Sequence, residues 1–279
     1  MSHSFKNIVI VGRRNDPRVV EPLKLLTAHL AAAHVGLVDE SDVSKADLVI
    51  AIGGDGTMLY ASRLVAQHSI PILGINRGRL GFLADVTPDE MIRSVEHVLG
   101  GNFATDSRLL LEARLSRSNG DDVVTYALND VVLQRRETGR MVDFETRVGG
   151  QFVNTHSGDG LIVATPTGST AYALSCGGPI IEPQLDAVVI VPICPHTLTD
   201  RPIVISADQP VEVSLLQRDE TKAEITVDGF SMGSIEPDDK LQISAANNRV
   251  TLVHPPGYDF YEILRSKLFW GTDNRKREI

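Results

Sequence analysis

Residues 47–68 read DLVIAIGGDGTMLYASRLVAQH, and this stretch decides the fold. Residues 47–52 form an apolar run too short for a helix, with glycines directly after it, and so predict a buried strand. Gly53-Gly54-Asp55-Gly56-Thr57 follows as a loop, and residues 58–68 return apolar side chains at helical spacing. Strand, glycine loop and helix in that order are the repeating element of an α/β layer. Three glycines in four positions let backbone N–H groups approach a ligand without side-chain obstruction, and at a helix N-terminus such groups favour phosphate.

Working outward, residues 7–11 and 19–34 show the same alternation of short apolar run and amphipathic helix. On the other side, residues 70–75 predict a strand and 76–81 a polar, glycine-containing loop. Residues 88–99 predict a helix with Pro88 in its first turn and Gly100-Gly101 after it. Past Gly101 the helical period mostly disappears. Strand-like runs recur at 109–115, 123–133, 144–153, 161–164, 187–191, 211–216 and 250–253, and Gly149-Gly150 has the spacing of a two-residue hairpin turn. The expectation is an open α/β domain over residues 1–100 and a β-sandwich-like, β-rich domain over 101–254. Residues 258–270 are amphipathic enough for a closing helix, so segment 255–279 is expected to pack back on the first domain.

Charge and composition exclude several classes. With 36 Asp and Glu against 27 Lys and Arg the formal charge is −9, which argues against a nucleic-acid or anionic-membrane partner. The two cysteines, Cys176 and Cys194, make neither a disulfide framework nor a four-sulfur zinc cage, and are expected as buried thiols. No run approaches the roughly 20 apolar residues of a membrane span, and residues 1–7 lack a leader pattern, so the expected location is cytoplasmic. No histidine pair has HExxH spacing and no lysine follows a glycine, so neither a zincin nor a Walker A loop is present. No metal-ligating set of residues is predicted.

The glycine loop does not match the dinucleotide fingerprint, because Leu59 stands where the third glycine belongs. Asp55 is the informative residue. A carboxylate about 4 Å from a phosphate charge costs on the order of 4 kcal/mol at an effective dielectric near 20. A group kept at that cost points to chemistry. It accepts a hydrogen bond from an attacking hydroxyl or holds a divalent ion, and both roles belong to phosphoryl transfer. The plain alternative is a tight turn at Gly53-Gly54 with Asp55 capping the next helix.

A second constellation, GDGLIVATPTGSTAY at residues 158–172, runs from an apolar strand into clustered hydroxyl residues and then the expected start of a helix. Thr167, Ser169 and Thr170 beside Gly168 offer a surface for a nucleotide's base, sugar and phosphates, where helix capping explains only one of the three. A nearby serine, Ser175, precedes Cys176-Gly177, but Ala173 stands where a nucleophile elbow has glycine, so a hydrolase reading is weak. Asn129-Asp130 places two polar side chains inside an otherwise apolar run. Such groups are costly if buried without partners, so they are read as contacts to an adenine edge and a sugar hydroxyl, or as one side chain facing solvent.

These segments, in this order, resemble the motifs of the NAD kinase family. The resemblance extends through residues 74–82, Gly177-Gly178-Pro179, Pro195-His196-Thr197-Leu198 with Arg201-Pro202, and 254–270. GGDGT alone is shared with lipid kinases and partly with phosphofructokinases; the threonine-rich segment and the Asn-Asp pair are the specific part. The resemblance implies a Rossmann-like, phosphofructokinase-like N-terminal domain and transfer of the γ-phosphoryl of ATP, with a divalent metal such as Mg²⁺, to the 2′-hydroxyl of the adenosine ribose of NAD. Asp55 would face that hydroxyl, with Gly53, Gly54, Gly56, Thr57, Leu59 and Phe82 around it. The adenine would lie near Asn129 and Thr170-Ala171-Tyr172, Asp130 would contact adenosine, Asp159 would lie toward nicotinamide, Thr167 and Ser175 are counted among the substrate-binding residues, and Arg140 and Ser157 match positions that touch the dinucleotide. It also implies a homodimer or homotetramer. At Asp228-Gly229-Phe230 many relatives end in a polar residue, so no binding role passes to Phe230.

Two rivals stay open on sequence alone: a diacylglycerol-type lipid kinase sharing the GGDGT loop, and a non-catalytic dinucleotide sensor. Of the 27 basic residues 20 are Arg, and Arg13, Arg14, Arg77, Arg79 and Arg140 fall in or near the nucleotide loops. Arginine suits forked phosphate contacts, so an acidic chain is expected to hold polyanions by amides, metal and a few arginines.

Overall fold

The computed structural model describes residues 5–78, 81–118, 120–136, 141–217 and 223–269. β1 (Asn7–Gly12) leads to α1 (Pro17–Ala32), where Asp16 caps the helix by accepting the Arg18 N–H at 3.0 Å and Pro17 occupies the first turn. β2 (Gly36–Leu37), β3 (Leu48–Ile52), α2 (Asp55–Val65), β4 (Ile72–Ile75), α3 (Met91–Leu99) and β5 (Ala104–Arg108) follow. A long β region comprises β6 (Leu111–Ser116), β7 (Val123–Ala127), β8 (Asp130–Arg135), β9 (Val142–Val148), β10 (Gln151–Gly158) and β11 (Gly160–Ala164). After the single turn α4 (Tyr172–Ser175) it continues with β12 (Ala187–Ile193), β13 (Ile203–Ser206), β14 (Val211–Leu215), β15 (Ala223–Val227), β16 (Phe230–Ile235) and β17 (Lys240–Ala245). β18 (Val250–His254) and α5 (Phe260–Leu268) come last.

Described residues up to Asp106 and from Thr251 onward form one unit, and Ser107–Val250 form the other. In the first unit the sheet order is β2-β1-β3-β4-β18-β5, and β1, β3, β4 and β18 run parallel. All five residues of β3 are buried because helices cover both faces of the sheet. On one face Leu26 and Leu30 of α1 and Val95 and Val98 of α3 pack with Ile8, Ile50, Leu73 and Val253. Truncating Leu26 or Ile50 to alanine costs about 2–5 kcal/mol at such inaccessible positions. Neighbouring parallel strands end at the same edge, so the loops after β1, β3 and β4 meet there, at the carboxyl ends where open α/β sheets bind ligands.

In the second unit two six-stranded sheets are ordered β10-β9-β14-β17-β6-β7 and β13-β12-β11-β8-β15-β16. Their facing side chains form one core, with Phe144, Val213 and Leu241 from the first sheet against Val131, Val163 and Ile225 from the second. β9 and β14 alternate buried and half-buried residues, whereas every residue of β11 is buried. The second sheet has both faces covered: Ile162, Ala164, Val189 and Val191 pack with Ala173 and Ile181 on its outer side. That packing fixes the threonine-rich segment to the sheet. The mixed α/β plus all-β architecture is the one read from the sequence, and Gly149-Gly150 forms the turn between β9 and β10.

Four details differ from the sequence reading. The run 250–253, expected within the β-rich domain of 101–254, is β18 of the α/β sheet, where it pairs with β4. The run 123–133 is two strands, broken at Leu128 and Asn129. The helix expected after residue 172 is one turn only, because Gly177 takes a φ of +84° while Gly177 and Gly178 close the turn onto Leu174 and Ala173. The cysteines are not both buried: Cys176 is half-buried and Cys194 is exposed. Among the described residues no helix is long and apolar enough to cross a membrane.

Candidate active site

In the first unit Asp55 opens α2 directly after Gly54, and Gly54 makes no side-chain cap. The Asp55 carboxylate does not cap its own helix either. It turns to the loop after β4, where Oδ2 accepts the Phe82 N–H at 3.2 Å and Oδ1 accepts the Leu83 N–H at 3.1 Å. A methyl group on Gly81 would strike Oδ1, so the loop approaches this closely only with glycine there. Two further bonds shape the loop: the Asn76 N–H donates to Val86 at 2.8 Å, and Asn76 Oδ1 accepts the Gly78 N–H at 2.7 Å. Asn76 is 1% exposed, and its Nδ2 has no hydrogen-bond partner among the described residues. Gly53 is buried, Gly54, Thr57, Leu59 and Phe82 are half-buried and Gly56 is exposed. The Gly53 N–H donates to Ile75 at 2.8 Å, which ties the glycine loop to the end of β4.

Asp16 belongs to the same edge, a role its sequence position before Pro17 signals only as a helix cap. Its carboxylate accepts Arg18 Nε at 3.1 Å and Nη2 at 3.0 Å, and it also accepts Arg77 Nη1. Hydrogen bonds from Arg18, with a further one from Arg77, hold this carboxyl far below the usual carboxylate range.

In the second unit the organiser is Asp228, at the turn between β15 and β16, with a φ of +49°. Its carboxylate accepts the N–H groups of Leu128 at 2.8 Å, Asn129 at 2.8 Å and Asp130 at 3.0 Å. Those three amides are thereby withdrawn from strand pairing, which breaks the run 123–133. The Asn129 carbonyl accepts the Thr165 N–H at 2.8 Å, and Thr165 Oγ1 donates to Leu128 while accepting the Gly168 N–H at 3.0 Å. A Cβ on Gly168 would overlap the Asn129 backbone, so only glycine lets these two segments touch. Asn129, Asp130, Thr167 and Thr170 are therefore brought together. Thr167 is braced further by the buried Arg108, whose Nη1 donates to Thr167 Oγ1 at 3.2 Å. Burial first and the Asp228 charge second push the Asp130 carboxyl up to about 7.

Asp159 pairs with Arg135, Nε to Oδ1 at 2.8 Å, and its N–H donates to Ile193 at 2.9 Å. Ser157 is half-buried with Oγ 4.0 Å from Met141 Sδ. Ala171 is half-buried, while Tyr172 and Ser175, at the two ends of the α4 turn, are exposed. Burial and a hydrogen bond with Cys176 raise the Tyr172 phenol. Arg140 lies outside the described residues, as does Arg79. The sequence reading missed Asp16, Arg108 and the role of Asp228. An Asp-Gly turn signals Asp228, and Arg108 stands out as a charge before an apolar run.

A family model described as the ATP-NAD kinase N-terminal domain matches residues 16–103, and one described as the ATP-NAD kinase C-terminal domain matches 128–255. The chain is 40% identical to the NAD kinase of Nitrosococcus oceani, with 97% of this chain and 99% of that protein covered. The chain belongs to the NAD kinase family. It is 42% identical to the NAD kinase of Ectopseudomonas mendocina, over 96% of this chain and 97% of that one. A solved NAD kinase from Archaeoglobus fulgidus in complex with ATP superposes with a TM-score of 0.73 at 26% identity, covering 94% of this chain and 96% of that one. Yeast NADH kinase complexed with NADH shares the fold, with a TM-score of 0.90 at 23% identity over 97% of this chain and 89% of that one. As a member of the NAD kinase family the chain is an enzyme, a phosphotransferase, which sets aside the lipid kinase and the non-catalytic sensor.

Proposed function

We infer that this chain phosphorylates NAD with ATP, moving the γ-phosphoryl to the 2′-hydroxyl of the adenosine ribose and releasing NADP. The observation that carries the chemistry is Asp55, a carboxylate fixed by the Phe82 and Leu83 amides at the start of a helix whose N-cap Gly54 makes no side-chain cap. The uncapped first-turn N–H groups, with Gly53, Gly56 and Thr57, take phosphate oxygens. Asp55 accepts a hydrogen bond from the attacking hydroxyl and aligns it. A carboxylate is a far weaker base than an alkoxide, so Asp55 receives the proton late, as a loose transition state permits.

Leu59 and Phe82 give apolar contact beside the reacting ribose. Asn129 and Asp130 hold adenosine with Thr167, Thr170, Ala171, Tyr172 and Ser175, and Asp130, neutral below about pH 7, has a proton to donate to a sugar oxygen. Asp159, Ser157 and Arg140 serve the nicotinamide half. The unit running to Asp106 and resuming at Thr251 serves phosphoryl transfer, and Ser107–Val250 serves the dinucleotide.

Mg²⁺ fits this donor set as a companion of ATP: among the described residues no three His, Cys, Asp or Glu side chains gather to cage an ion, while Asp55 offers one carboxylate beside the phosphates. Bound there, it would neutralise charge on the transferred group. Cytoplasmic location accords with a soluble cofactor as substrate. Assembly as a homodimer or homotetramer is supported by Phe152 and Val153 on edge strand β10 and Ile203 and Val204 on edge strand β13, all exposed apolar residues. Incubating the chain with ATP, Mg²⁺ and NAD and assaying for NADP tests the function. Product is expected; intact NAD binding without product contradicts it.

A further inference from the structure

Arg77 stands in the loop after β4, one residue past Asn76, and the turn closed by the Gly78 N–H on Asn76 Oδ1 holds it against the glycine loop. One end of its guanidinium, Nη1, donates to Asp16. The other end faces α2: Nη2 lies 3.4 Å from the place a Cβ on Gly54 would occupy. Among the described residues Asp16 is the one acceptor that Arg77 reaches, so the fork is half used.

Asp16 receives two guanidiniums, Arg18 and Arg77, so the group carries a surplus positive charge beside Gly54 in a chain whose formal charge is −9. Exposed ion pairs contribute little to stability, too little by themselves to account for a half-buried arginine aimed at a glycine N-cap. A planar fork with one edge tethered and the other over uncapped helix N–H groups is a preorganised partner for a phosphate oxygen. It also offsets the repulsion that Asp55 imposes on the same anion.

We propose that Arg77 is a phosphate-binding residue for the nucleoside triphosphate, and that Asp16 is the positioning residue that aims it at the glycine loop. The proposal rests on the ATP-dependent reading above, and extends it by assigning two residues outside the GGDGT motif to the donor's phosphate chain.

The test is a nucleotide series, AMP, ADP and ATP, titrated calorimetrically into the full chain and into Arg77→Met, Arg77→Lys and Asp16→Asn. Arg77→Met is expected to weaken ATP about tenfold or more while AMP changes less than about twofold, because the lost contact is to the outer phosphates. Arg77→Lys, with the charge but without the fork, is expected between the two, and Asp16→Asn to weaken ATP by a smaller factor. NAD affinity should stay within about threefold, since it is not read by this guanidinium. Equal losses for AMP and ATP, or no loss for either, overturn the proposal and make Arg77–Asp16 a structural tie. Should Arg77→Met not fold, as judged by circular dichroism, Arg77→Gln and Arg77→Lys carry the same comparison. The two claims separate cleanly: NADP formation by the unaltered chain with an Arg77-independent series sinks the clamp alone, and an Arg77-dependent series without NADP sinks the functional reading alone.

Discussion

Asp228 accepts the backbone N–H of Asn129 at 2.8 Å, and this contact rather than a strand partner determines where Asn129 stands. The same carboxylate holds Leu128 and Asp130, so a single acid on the β15–β16 turn fixes three consecutive residues. Because the Asn129 carbonyl then takes the Thr165 N–H, the Asp-Gly turn and the threonine-rich loop are parts of one construction.

Asp228→Ala strands three partly buried N–H groups, each costing about 1–3 kcal/mol when unmet. The variant should melt several degrees lower and show a KM for NAD raised more than about tenfold, with the KM for ATP little changed. Asp228→Asn, which keeps one acceptor oxygen, should fall between. Scanning calorimetry with steady-state kinetics checks this, and an unchanged KM for NAD contradicts it.

Gly81→Ala separates stability from chemistry. The added methyl meets Asp55 Oδ1, the end of a side chain that can move aside, so the fold should lose little. Asp55 then leaves the Phe82 and Leu83 amides, and kcat should drop about a hundredfold or more, since a misplacement of about 1 Å already costs that much. Urea midpoints and kcat measured together decide it: a variant both folded and active refutes the positioning of Asp55.

The Asp130 carboxyl titrates at about 7 in the folded chain against 3.8 for the free side chain. Between those values the folded chain keeps a proton that the unfolded chain has released. Stability is therefore largest on the acid side, falls as pH rises through the window, and levels off above the folded value. Asp130→Asn has no proton to lose there. Compared with it, the unaltered chain should lose a few kcal/mol of unfolding free energy between about pH 4 and about pH 8. Chemical denaturation at a series of pH values would show parallel curves if Asp130 were ionised throughout.

The α/β half was legible because β3 is short, wholly apolar and followed by three glycines, so local pattern and tertiary role agree. The β half was legible as a class but not in detail. β11 and β12, buried on both faces, lose the alternation that marks a half-buried strand. The break at Asn129 is invisible locally, since its cause sits 99 residues away in Asp228. The arginine at 108 and the Asp16–Arg77 pair escape for the same reason: separations of 59 and 61 residues leave no trace in periodicity. Asp55 stands out in the sequence because an acid in a glycine loop opening a helix is electrostatically out of place beside a phosphate; Cys194 was misread because apolar character predicts burial only on average.

Asp55→Asn bears most directly on the role of Asp55 in phosphoryl transfer. NADP formation from ATP and NAD, measured in single turnover beside calorimetric NAD binding, should slow by orders of magnitude while the NAD dissociation constant stays within about tenfold. Near-normal turnover by that variant would contradict the account, because the one carboxylate held on the Phe82 and Leu83 amides would then have no part in the transfer.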